Sequence, residues 1–414
     1  MNTAEFKDSP LGPIPQDWEV KRLGEIAPLQ RGFDLPTKDL QDGPFPVVYS
    51  NGICNYHVEA MCDAPGLVTG RSGTIGHFTF IESGRYWPHN TALWVTSFKG
   101  NDPLYIKYLY ETLHFENFAT GSGVPTLNRN AIHEFEVALP SKIDEQQRIA
   151  EALGEVDKLI ESLDAQIEKK RRIAQGLAHD LLGMRNEECG MRNEECGMRN
   201  EPIRRFPGFK GEWERKALDS VIDFVTAPIA TSKIDVEKYI STDNMVPNLG
   251  GVEPNASAVP YASIREYKTG DILLSNIRPY LKKMWRANWD AGCSSDVLVL
   301  RLVTDSVDSR FLYHTLSRDE FFDFVSSKAV GTKMPRGDKR VIASFKIQVP
   351  TIAEQEAIAD VLAAADSEIA GLEAKKRKYE QIKSGMMHDL LTGKVRVNEE
   401  CGMGNAEWGM RNEE

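Results

Sequence analysis

The 414-residue sequence has no apolar run long enough to cross a bilayer as a helix. Its first residues, MNTAEFKDSPLGPIP, lack the charged-then-apolar pattern of a secretory signal. It has six cysteines and no CxxC pair, and Cys189, Cys196 and Cys401 all lie in repeated units. This usage argues against a disulfide framework or a zinc knuckle. We therefore expect a cytoplasmic protein with no metal site and no membrane partner.

Motifs of the common catalytic sites are also missing. No two prolines are adjacent, so the (N/D)PP(Y/F) loop of an adenine methyltransferase is absent, as are GxxxxGK(S/T), HExxH and GxSxG. The histidines show no metal-ligand spacing. His179 and His388 recur beside Asp180 and Asp389, near predicted helix ends, where capping explains them better than catalysis. The sequence predicts no catalytic residue and no cofactor.

An internal duplication organises the chain. Three pairs of segments match, and each half therefore has a tryptophan-bearing entry, a variable region of over 100 residues, a P…EQ exit and a long helix. The pairs are DWEVKRL (17–23) with EWERKAL (212–218), GSGVPTLNRNAIHEFEVALP (121–140) with GTKMPRGDKRVIASFKIQVP (331–350), and the gapless pair 144–182 with 353–391.

The variable regions combine strand-like and helix-like stretches. FPVVY, TALWV, DILLS and DVLVLRLV are typical of strands, and PLYIKYLYETL and SRFLYHTLSRDEFFDFV are typical of helices. The predicted fold class is α/β (α+β), with two repeated mixed domains.

The two long segments predict coiled-coil helices, because their apolar residues recur at alternating steps of four and three. Each is about 38 residues, or about 57 Å, long. Since a helix of that length cannot bury its seam alone, we expect the two to pack antiparallel and separate the variable domains; the alternative is two unrelated surface helices. The seam residues are Ile149, Leu153, Val156, Ile160 and Leu163 in the first helix, and Ile358, Leu362, Ile369 and Leu372 in the second.

These motifs resemble the specificity subunits of type I DNA restriction–modification systems. The resemblance rests on IPQDWEVKRLGEI (14–26), GRSGTIG (70–76), ALPSKIDEQQRIAEAL (138–153) and VPTIAEQEAIADVL (349–362), present in order. It implies two target recognition domains that each bind half of a split double-stranded DNA site. It also implies that the helices dock two methyltransferase subunits and that restriction (translocase–nuclease) subunits join them. S-adenosylmethionine, ATP and Mg²⁺ are then expected on partner subunits only, and the chain itself catalyses nothing.

The resemblance also implies a division of the chain. Two recognition domains, two helices, a linker and a flexible tail are expected. Their ranges are 1–140 (first recognition domain), 141–183 (first helix), 184–207 (heptad linker), 208–350 (second recognition domain), 351–393 (second helix) and 394–414 (tail).

A net charge of −11 argues mildly against a protein coated in nucleic acid, yet the second half has local basic patches. RPYLKKMWR (278–286) holds four cations and no acid, and 328–346 holds six cations against one acid. Such residues neutralise phosphates, Arg also binds guanine, and Tyr280 or Trp285 can stack or pack. A solvated charged face is the alternative. The candidate DNA-binding residues here are Arg278, Tyr280, Lys282, Lys283, Lys333 and Arg336.

The first half carries a weaker DNA signal, with 9 Lys+Arg against 14 Asp+Glu in residues 14–140. Its glycine-rich GRSGTIG segment suits close approach to phosphate, although an ordinary turn explains it equally well. If this domain binds DNA, much of its affinity must come from linkage to the other half. Its candidates are Arg31, Arg71, Ser72, Thr74, Asn128 and Arg129.

A heptad, GMRNEEC, runs twice from Gly183, begins again before Pro202, and recurs in broken form after Asn398. Its glycine makes it a poor helix, so we interpret it as a connector. In some members of the resembled family, the copy number of such a repeat changes the gap in the DNA site. One helical heptad adds about 10 Å, which is about three base pairs. The terminal copies favour the alternative, a DNA element inserted at tolerant sites; both interpretations stay open.

Two other functions remain possible at this point. One is a specificity subunit of a methylation-only or related assembly, which neighbouring genes would distinguish. The other is a duplicated scaffold that binds protein, for which DNA binding would depend weakly on salt.

Overall fold

The structure is a computed structural model that describes residues 6–120, 126–184, 202–255, 257–259, 261–329, 331 and 335–397. The chain divides into two compact units. The first unit comprises Met1–Asp164 and Ala374–Glu414, and the second comprises Ala165–Glu373. Each unit contains one variable region together with parts of both long helices.

The first unit is built from short strands and three short helices among its described residues, followed by the first long helix. The strands are β1 (Phe6–Lys7), β2 (Ile14–Pro15), β3 (Trp18–Arg22), β4 (Leu29–Arg31), β5 (Phe45–Tyr49), β6 (Gly52–His57), β7 (Cys62–Asp63), β8 (Gly66–Gly70), β9 (Phe78–Ile81), β10 (Arg85–Pro88), β11 (Ala92–Val95), β12 (Ala119–Thr120), β13 (Thr126–Leu127) and β14 (Glu136–Pro140). The helices are α1 (Leu23–Ile26), α2 (Pro103–Glu111), α3 (Arg129–His133) and the long α4 (Ile143–Leu182), whose residues from Ala165 onward belong to the second unit.

The second unit repeats this plan with fewer strands in its described part. The strands are β15 (Glu214–Ala217), β16 (Ile222–Phe224), β17 (Pro228–Ala230), β18 (Ser263–Tyr267), β19 (Ile272–Ser275), β20 (Met284–Arg286), β21 (Ala291–Cys293), β22 (Val297–Leu302) and β23 (Lys346–Val349). The helices are α5 (Ser309–Leu316), α6 (Asp319–Ser327), α7 (Lys339–Ala343) and the long α8 (Ile352–Leu391), whose residues from Ala374 onward belong to the first unit.

Both units contain a four-stranded antiparallel sheet of the same strand order. The order is β4-β11-β8-β9 in the first unit and β16-β22-β19-β20 in the second. The entry strand pairs with the exit strand in each, β3 with β14 and β15 with β23. A second sheet differs: it is β6-β5-β10-β7 in the first unit and β17-β18-β21 in the second. The duplicated sequence anchors therefore frame one common topology.

Each core joins the variable region to helix ends. In the first unit Trp18 is buried with Ile149 and Leu153 of α4 and with Leu390 of α8. In the second unit Trp213 packs in a cluster with Leu181, Leu182, Phe311, Ile358 and Leu362. Burying one such aliphatic side chain stabilises a fold by about 1.5–3 kcal/mol. The amino-terminal turns of each long helix are therefore fixed to the region that precedes them.

The two long helices pack together and antiparallel within each unit, as predicted. In the first unit Lys383 Nζ lies 2.7 Å from Asp157 Oδ1, and Lys376 Nζ lies 2.6 Å from Asp164 Oδ1. In the second, Lys170 Nζ lies 2.6 Å from Glu368 Oε1. Lys376 and Lys383, which interrupt the apolar seam, thus reach carboxylates on the partner helix.

One predicted helical stretch is divided. The sequence SRFLYHTLSRDEFFDFV forms α5 and α6, which are separated at Ser317 and Arg318. The Ser317 hydroxyl donates to the Tyr313 carbonyl at 2.8 Å, and Arg318 is extended at φ −75° and ψ 153°. The Arg318 guanidinium donates to the Leu182 carbonyl at 2.9 Å, so the break ties the end of α4 to the domain.

Within the part of the chain that the structure describes, no helix is long and apolar enough to cross a membrane. The same described residues contain no group of three or more His, Cys, Asp or Glu placed to hold a metal ion.

Candidate nucleic-acid interface

In the first unit, the sheet brings two of the predicted loops to one edge. Strand β11 lies between β4 and β8, with Leu93 opposite Arg31 and Ala92 opposite Gly70. The Arg71 amide donates to the Thr91 carbonyl at 3.0 Å. The QRGFD and GRSGTIG segments are therefore neighbours, although about 40 residues separate them in the sequence.

The third predicted segment, VPTLNRN, joins the same edge. Ser72 forms a β-bridge with Thr126, and the Leu127 amide donates to the Arg71 carbonyl at 2.8 Å. Asn128 caps α3, since its Oδ1 accepts the Asn130 amide at 3.1 Å. The structure therefore brings all three segments of the first half together.

The GRSGTIG loop folds back on its own strand. A Cβ on Gly70 would collide with the carbonyl oxygen of Thr74, so this close approach requires glycine. Gly73 and Gly76 both have φ of +82°, a conformation that L side chains rarely adopt. Thr74 and Arg129 are exposed, while Arg71 and Ser72 are half-buried. The predicted tight loop is observed, with polar side chains at its tip.

Arg31 is engaged by a carboxylate on this surface. Its Nη2 lies 2.9 Å from Asp34 Oδ1, and Asn90 also donates to Asp34. The Asn90 hydrogen bond and then the charges of Arg31, His89 and Arg71 hold the pKa of Asp34 below its usual value. Asp34 thus partly neutralises the cations that would meet phosphate.

In the second unit the two predicted basic segments also meet. The Arg278 amide donates to the Pro335 carbonyl at 2.8 Å, and Ile277 forms a β-bridge with Arg336. Arg278 and Lys282 flank the 3₁₀ turn Pro279–Leu281, and both have φ of +51°. The RPYLKK loop and the PRGDK turn thus form one surface. Lys333 lies outside the described residues.

Side chains of this second surface differ in availability. Tyr280 is 55% exposed, and Arg278 is also exposed. Lys282 Nζ lies 2.7 Å from Asp319 Oδ1, and Lys283 Nζ donates to the Thr242 carbonyl at 2.6 Å. Arg336 Nη2 lies 3.2 Å from Asp296 Oδ1, although its side chain is half exposed. Arg278 and Tyr280 are therefore the side chains best placed for a nucleic acid.

Trp285, the other aromatic candidate, is half-buried and packs against a buried cluster of the second unit. Its ring centroid lies 4.7 Å from that of Trp289 and 6.1 Å from that of Tyr267. Tyr280 is therefore the more available of the two aromatic candidates for contact with a nucleic acid.

The predicted seam residues are all buried or half-buried. Ile149, Leu153, Val156, Leu163, Ile358 and Leu362 are buried, and Ile160, Ile369 and Leu372 are half-buried. Ile149 and Leu153 belong to the core of the first unit, and Ile358 and Leu362 to a cluster of the second. The first turns of each seam therefore pack against the domain as well as the partner helix.

The recurring EQ pair has a structural role that the sequence did not reveal. Gln146 accepts the Asp102 amide at 2.9 Å and donates to the Pro140 carbonyl at 2.9 Å. Gln355 accepts the Asp308 amide at 2.8 Å and donates to the Pro350 carbonyl at 2.9 Å. Each glutamine thus joins the exit strand to the amino terminus of a domain helix.

The preceding glutamates bind arginines that follow the long helices. Glu354 accepts two hydrogen bonds from Arg205, at 2.8 and 2.7 Å, and Glu145 accepts two from Arg396, at 2.6 and 2.7 Å. Arg396 also binds Asp17 through two hydrogen bonds of 2.9 Å. The recurrence of a glutamate before the glutamine in both copies marks the acids, but the sequence does not indicate their arginine partners.

Comparison with known proteins agrees with this architecture. A family model described as "Type I restriction modification DNA specificity domain" matches residues 15–170 and 210–384. The type I restriction enzyme MjaVIII specificity subunit of Methanocaldococcus jannaschii is 23% identical, over 93% of this chain and 94% of its own length. The EcoDI specificity subunit of Escherichia coli is 25% identical, over 84% and 81%.

A solved structure shares the fold. The crystal structure of a type I restriction–modification S subunit from M. genitalium matches with a TM-score of 0.58 at 14% identity, covering 94% of this chain and 98% of that one. The resemblance seen in the sequence is confirmed, because the family match extends over both halves and more than half of the residues. The chain belongs to the family of type I restriction–modification DNA specificity subunits.

Proposed function

We propose that this chain recognises a split double-stranded DNA site, one half with each unit, and directs adenine methylation by partner subunits to that site. The observation that supports the proposal is the duplicated junction of loop and turn, which places Arg71–Ser72 beside Thr126–Leu127 in one unit and Asn276–Ile277 beside Arg336–Gly337 in the other. Two equivalent surfaces with different side chains suit two different half-sites.

The candidate residues divide by availability. Arg278, Tyr280, Arg129 and Thr74 are exposed and suit phosphate or base contacts, while Lys282 and Arg31 first have to leave carboxylate partners. Arg31 and Asp34 lie at the same edge, so the first unit offers less positive charge. A bound phosphate would therefore be attracted more strongly by the second unit.

The expected division of the chain belongs to the same proposal: recognition domains at 1–140 and 208–350, and helices at 141–183 and 351–393. We propose that two methyltransferase subunits dock on the charged outer faces of α4 and α8, and that restriction subunits join that core. Exposed charges such as Glu161, Lys169, Arg172, Lys375 and Arg377 suit a polar interface.

A methylome tests the proposal. The chain would be expressed with its companion methyltransferase in a host that lacks DNA methylation, and modified adenines would be mapped by long-read sequencing. We expect one motif of two short halves around a fixed gap. Absence of any motif, with both subunits present and associated, would contradict the proposal, as would DNA binding with little salt dependence.

A further inference from the structure

Arg71 and Asn276 occupy equivalent positions in the two units. Three segments of the chain meet at each of these positions, which we call nodes. Each is the first residue after the third strand of the shared sheet, β8 or β19. The Arg71 amide donates to Thr91 and the Asn276 amide donates to Asp296, at 3.0 and 2.8 Å. The Leu127 amide donates to the Arg71 carbonyl at 2.8 Å.

The same hydrogen bond recurs in the second unit, where the Gly337 amide donates to the Asn276 carbonyl at 3.0 Å. Three segments therefore meet at each node with the same backbone hydrogen bonds. The backbone position is common to both units and only the side chain differs.

Both side chains also carry a buried polar atom without a partner. Among the described residues, nothing hydrogen-bonds Arg71 Nε or Asn276 Oδ1. An unpaired buried polar group costs free energy unless something else satisfies it. Such an atom recurs at the same node of both units, beside the candidate DNA contacts. Because both atoms are enclosed, each half-buried side chain has to turn outward before a base edge can reach it.

We propose that Arg71 and Asn276 are the equivalent base-reading residues of the two units, Arg71 for a guanine and Asn276 for an adenine. Arg binds guanine through two parallel hydrogen bonds, and Asn binds adenine through two. This inference rests on the proposed function, and it adds Asn276 to the residues that the sequence singled out. It assigns one base pair in each half of the site to one side chain.

The test is a methylome of Arg71→Lys and of Asn276→Asp, each expressed with the companion methyltransferase. Lys keeps the charge but lacks the planar fork, and Asp lacks the amide donor. At one base pair of one half-site, we expect the preference of each variant for the correct base to fall about tenfold or more. The other half-site and the gap should be unchanged. The unmodified motif must contain a G·C pair in one half and an A·T pair in the other.

Matched controls are Arg85→Lys, on an exposed guanidinium paired with Asp63, and Asn288→Asp, in the turn between β20 and β21. Should either node variant fail to fold by hydrogen exchange, Arg71→Gln and Asn276→Ser replace it. Unchanged motifs in both node variants would overturn this inference and leave the proposed function standing. Absence of a motif in the unmodified chain would instead overturn both.

A second observation concerns the GMRNEEC repeat between α4 and the second unit's domain. Residues 185–201 lie outside the described part, but the chain on both sides of them is paired. Met184 forms an antiparallel bridge with Pro202, and the Ile203 amide donates to the Gly183 carbonyl at 2.7 Å. The Arg204 amide donates to the Asp180 carbonyl at 2.8 Å.

The first unit supplies an internal control, because the same junction follows α8 without any insertion. The Val395 amide donates to the Asp389 carbonyl at 3.2 Å, as Arg204 does to Asp180. Arg396 then binds Glu145 as Arg205 binds Glu354. Arg396 lies 5 residues after the end of α8, and Arg205 lies 23 residues after the end of α4. Each arginine nevertheless binds the equivalent glutamate.

We infer that the number of GMRNEEC units does not set the gap in the DNA site. Additional units lengthen the chain between two ends that are already paired, and they leave the positions of those ends unchanged. The cost of such lengthening grows only slowly with length. This inference favours the inserted-element interpretation of the repeat.

Deletion of residues 185–191 or 185–198 removes one or two units and keeps the Met184–Pro202 junction. We expect both variants to methylate the same motif with the same gap. A gap that changes by about three base pairs per unit would overturn the inference. Loss of methylation by a deletion variant that still folds and binds its methyltransferase would also overturn it, since the repeat would then be required.

Discussion

Strand β8 of the first unit and strand β19 of the second end at junctions with matching backbone hydrogen bonds, yet the side chains there differ. The first junction presents Arg71, Ser72 and Thr126, and the second presents Asn276, Ile277 and Arg336. At the other end of each unit the side chains are the same, Glu145–Gln146 and Glu354–Gln355, and each pair binds an equivalent arginine and an equivalent proline carbonyl.

This contrast separates two kinds of residue within one chain. Where both copies keep the side chain and its hydrogen bonds, the residue holds a domain to its helix. Where both copies keep the backbone but change the side chain, we propose that the residue reads DNA, because two different half-sites require different side chains. The following variants test that separation, beginning with the anchors.

The largest effect is expected from Arg205→Ala. Its partner Glu354 is 1% exposed, so removing the guanidinium leaves a buried, unpaired carboxylate. We expect the second unit to lose about 3–5 kcal/mol of unfolding free energy. Arg396→Ala should cost the first unit less, about 2 kcal/mol, because the Trp18 indole still donates to Glu145 at 3.3 Å.

Hydrogen exchange measured by mass spectrometry reports each unit separately. The matched control is Arg204→Ala, the preceding residue, whose side chain is 73% exposed and 4.0 Å from Asp180. It should change stability by less than about 0.5 kcal/mol. Equal losses for Arg205→Ala and Arg204→Ala would show that the Glu354 pair is not an anchor.

A pH-dependent difference is expected from the position held by Tyr108 in α2 and by His314 in α5. Burial, with Arg286 and Arg310 nearby, lowers the pKa of His314 from 6.5 to about 4, although Asp366 lies 3.9 Å away. Below pH 6.5 the His314 imidazole is protonated in the unfolded chain, whereas in the folded chain it stays neutral down to about pH 4. Folding free energy is therefore lost as the pH falls from 6.5 to about 4, by about 3 kcal/mol in all.

His314→Tyr, which copies the first unit, should remove this loss, because Tyr does not titrate in that range. The measurement is hydrogen exchange in second-unit peptides at pH 7, 5.5 and 4, corrected for intrinsic exchange rates. His77→Tyr, at an exposed position of the first unit, is the control and should leave the profile unchanged. A profile that His314→Tyr also leaves unchanged would mean that His314 is protonated in the fold.

The parts of this structure that depend on local pattern were predictable. The gapless pair of segments 144–182 and 353–391, with its apolar seam and repeated EQ and HDLL ends, predicted α4 and α8 to within one residue at each end. The strands β5, β11, β19 and β22 lie in the predicted stretches, since each is a run of β-branched or aliphatic residues.

The junctions were not predictable, because they depend on pairing between distant segments. Nothing local indicates that Leu127 bonds Arg71, or that Arg396 reaches Glu145 across 251 positions. The sequence did not single out Asn276, because clustered cations are the local signal of DNA binding, whereas the role proposed for Asn276 rests on its place after β19. The break at Arg318 also depends on a distant partner, the Leu182 carbonyl.

A smaller and matched pair of effects is expected from the anchor glutamines. Gln355→Ala leaves the Asp308 amide and the Pro350 carbonyl unpaired, and Gln146→Ala leaves their counterparts at Asp102 and Pro140 unpaired. We expect each variant to lose about 2 kcal/mol of unfolding free energy in its own unit.

Gln175→Ala, at an exposed position of α4, should change little and serves as the control. The measurement is again hydrogen exchange in peptides of each unit. A loss of stability in only one of the two units would contradict the comparison. It would show that equivalent hydrogen bonds do not contribute equally to the unfolding free energy of the two units.

The smallest effects are expected at exposed cations of the two surfaces. Arg278→Ala in the second unit and Arg129→Ala in the first each remove one candidate phosphate-binding side chain. Binding by the assembled complex should weaken severalfold, and the slope of log affinity against log salt should fall by about one for each phosphate that is no longer neutralised, with the motif unchanged. Arg85→Ala, on the sheet formed by β7 and β10, should leave the slope as it is. An unchanged slope for Arg278→Ala would place DNA elsewhere on the second unit. If Arg278→Ala changes the slope and Arg129→Ala does not, the first unit binds base edges more than phosphates. The lower positive charge of the first unit leads us to expect this second outcome.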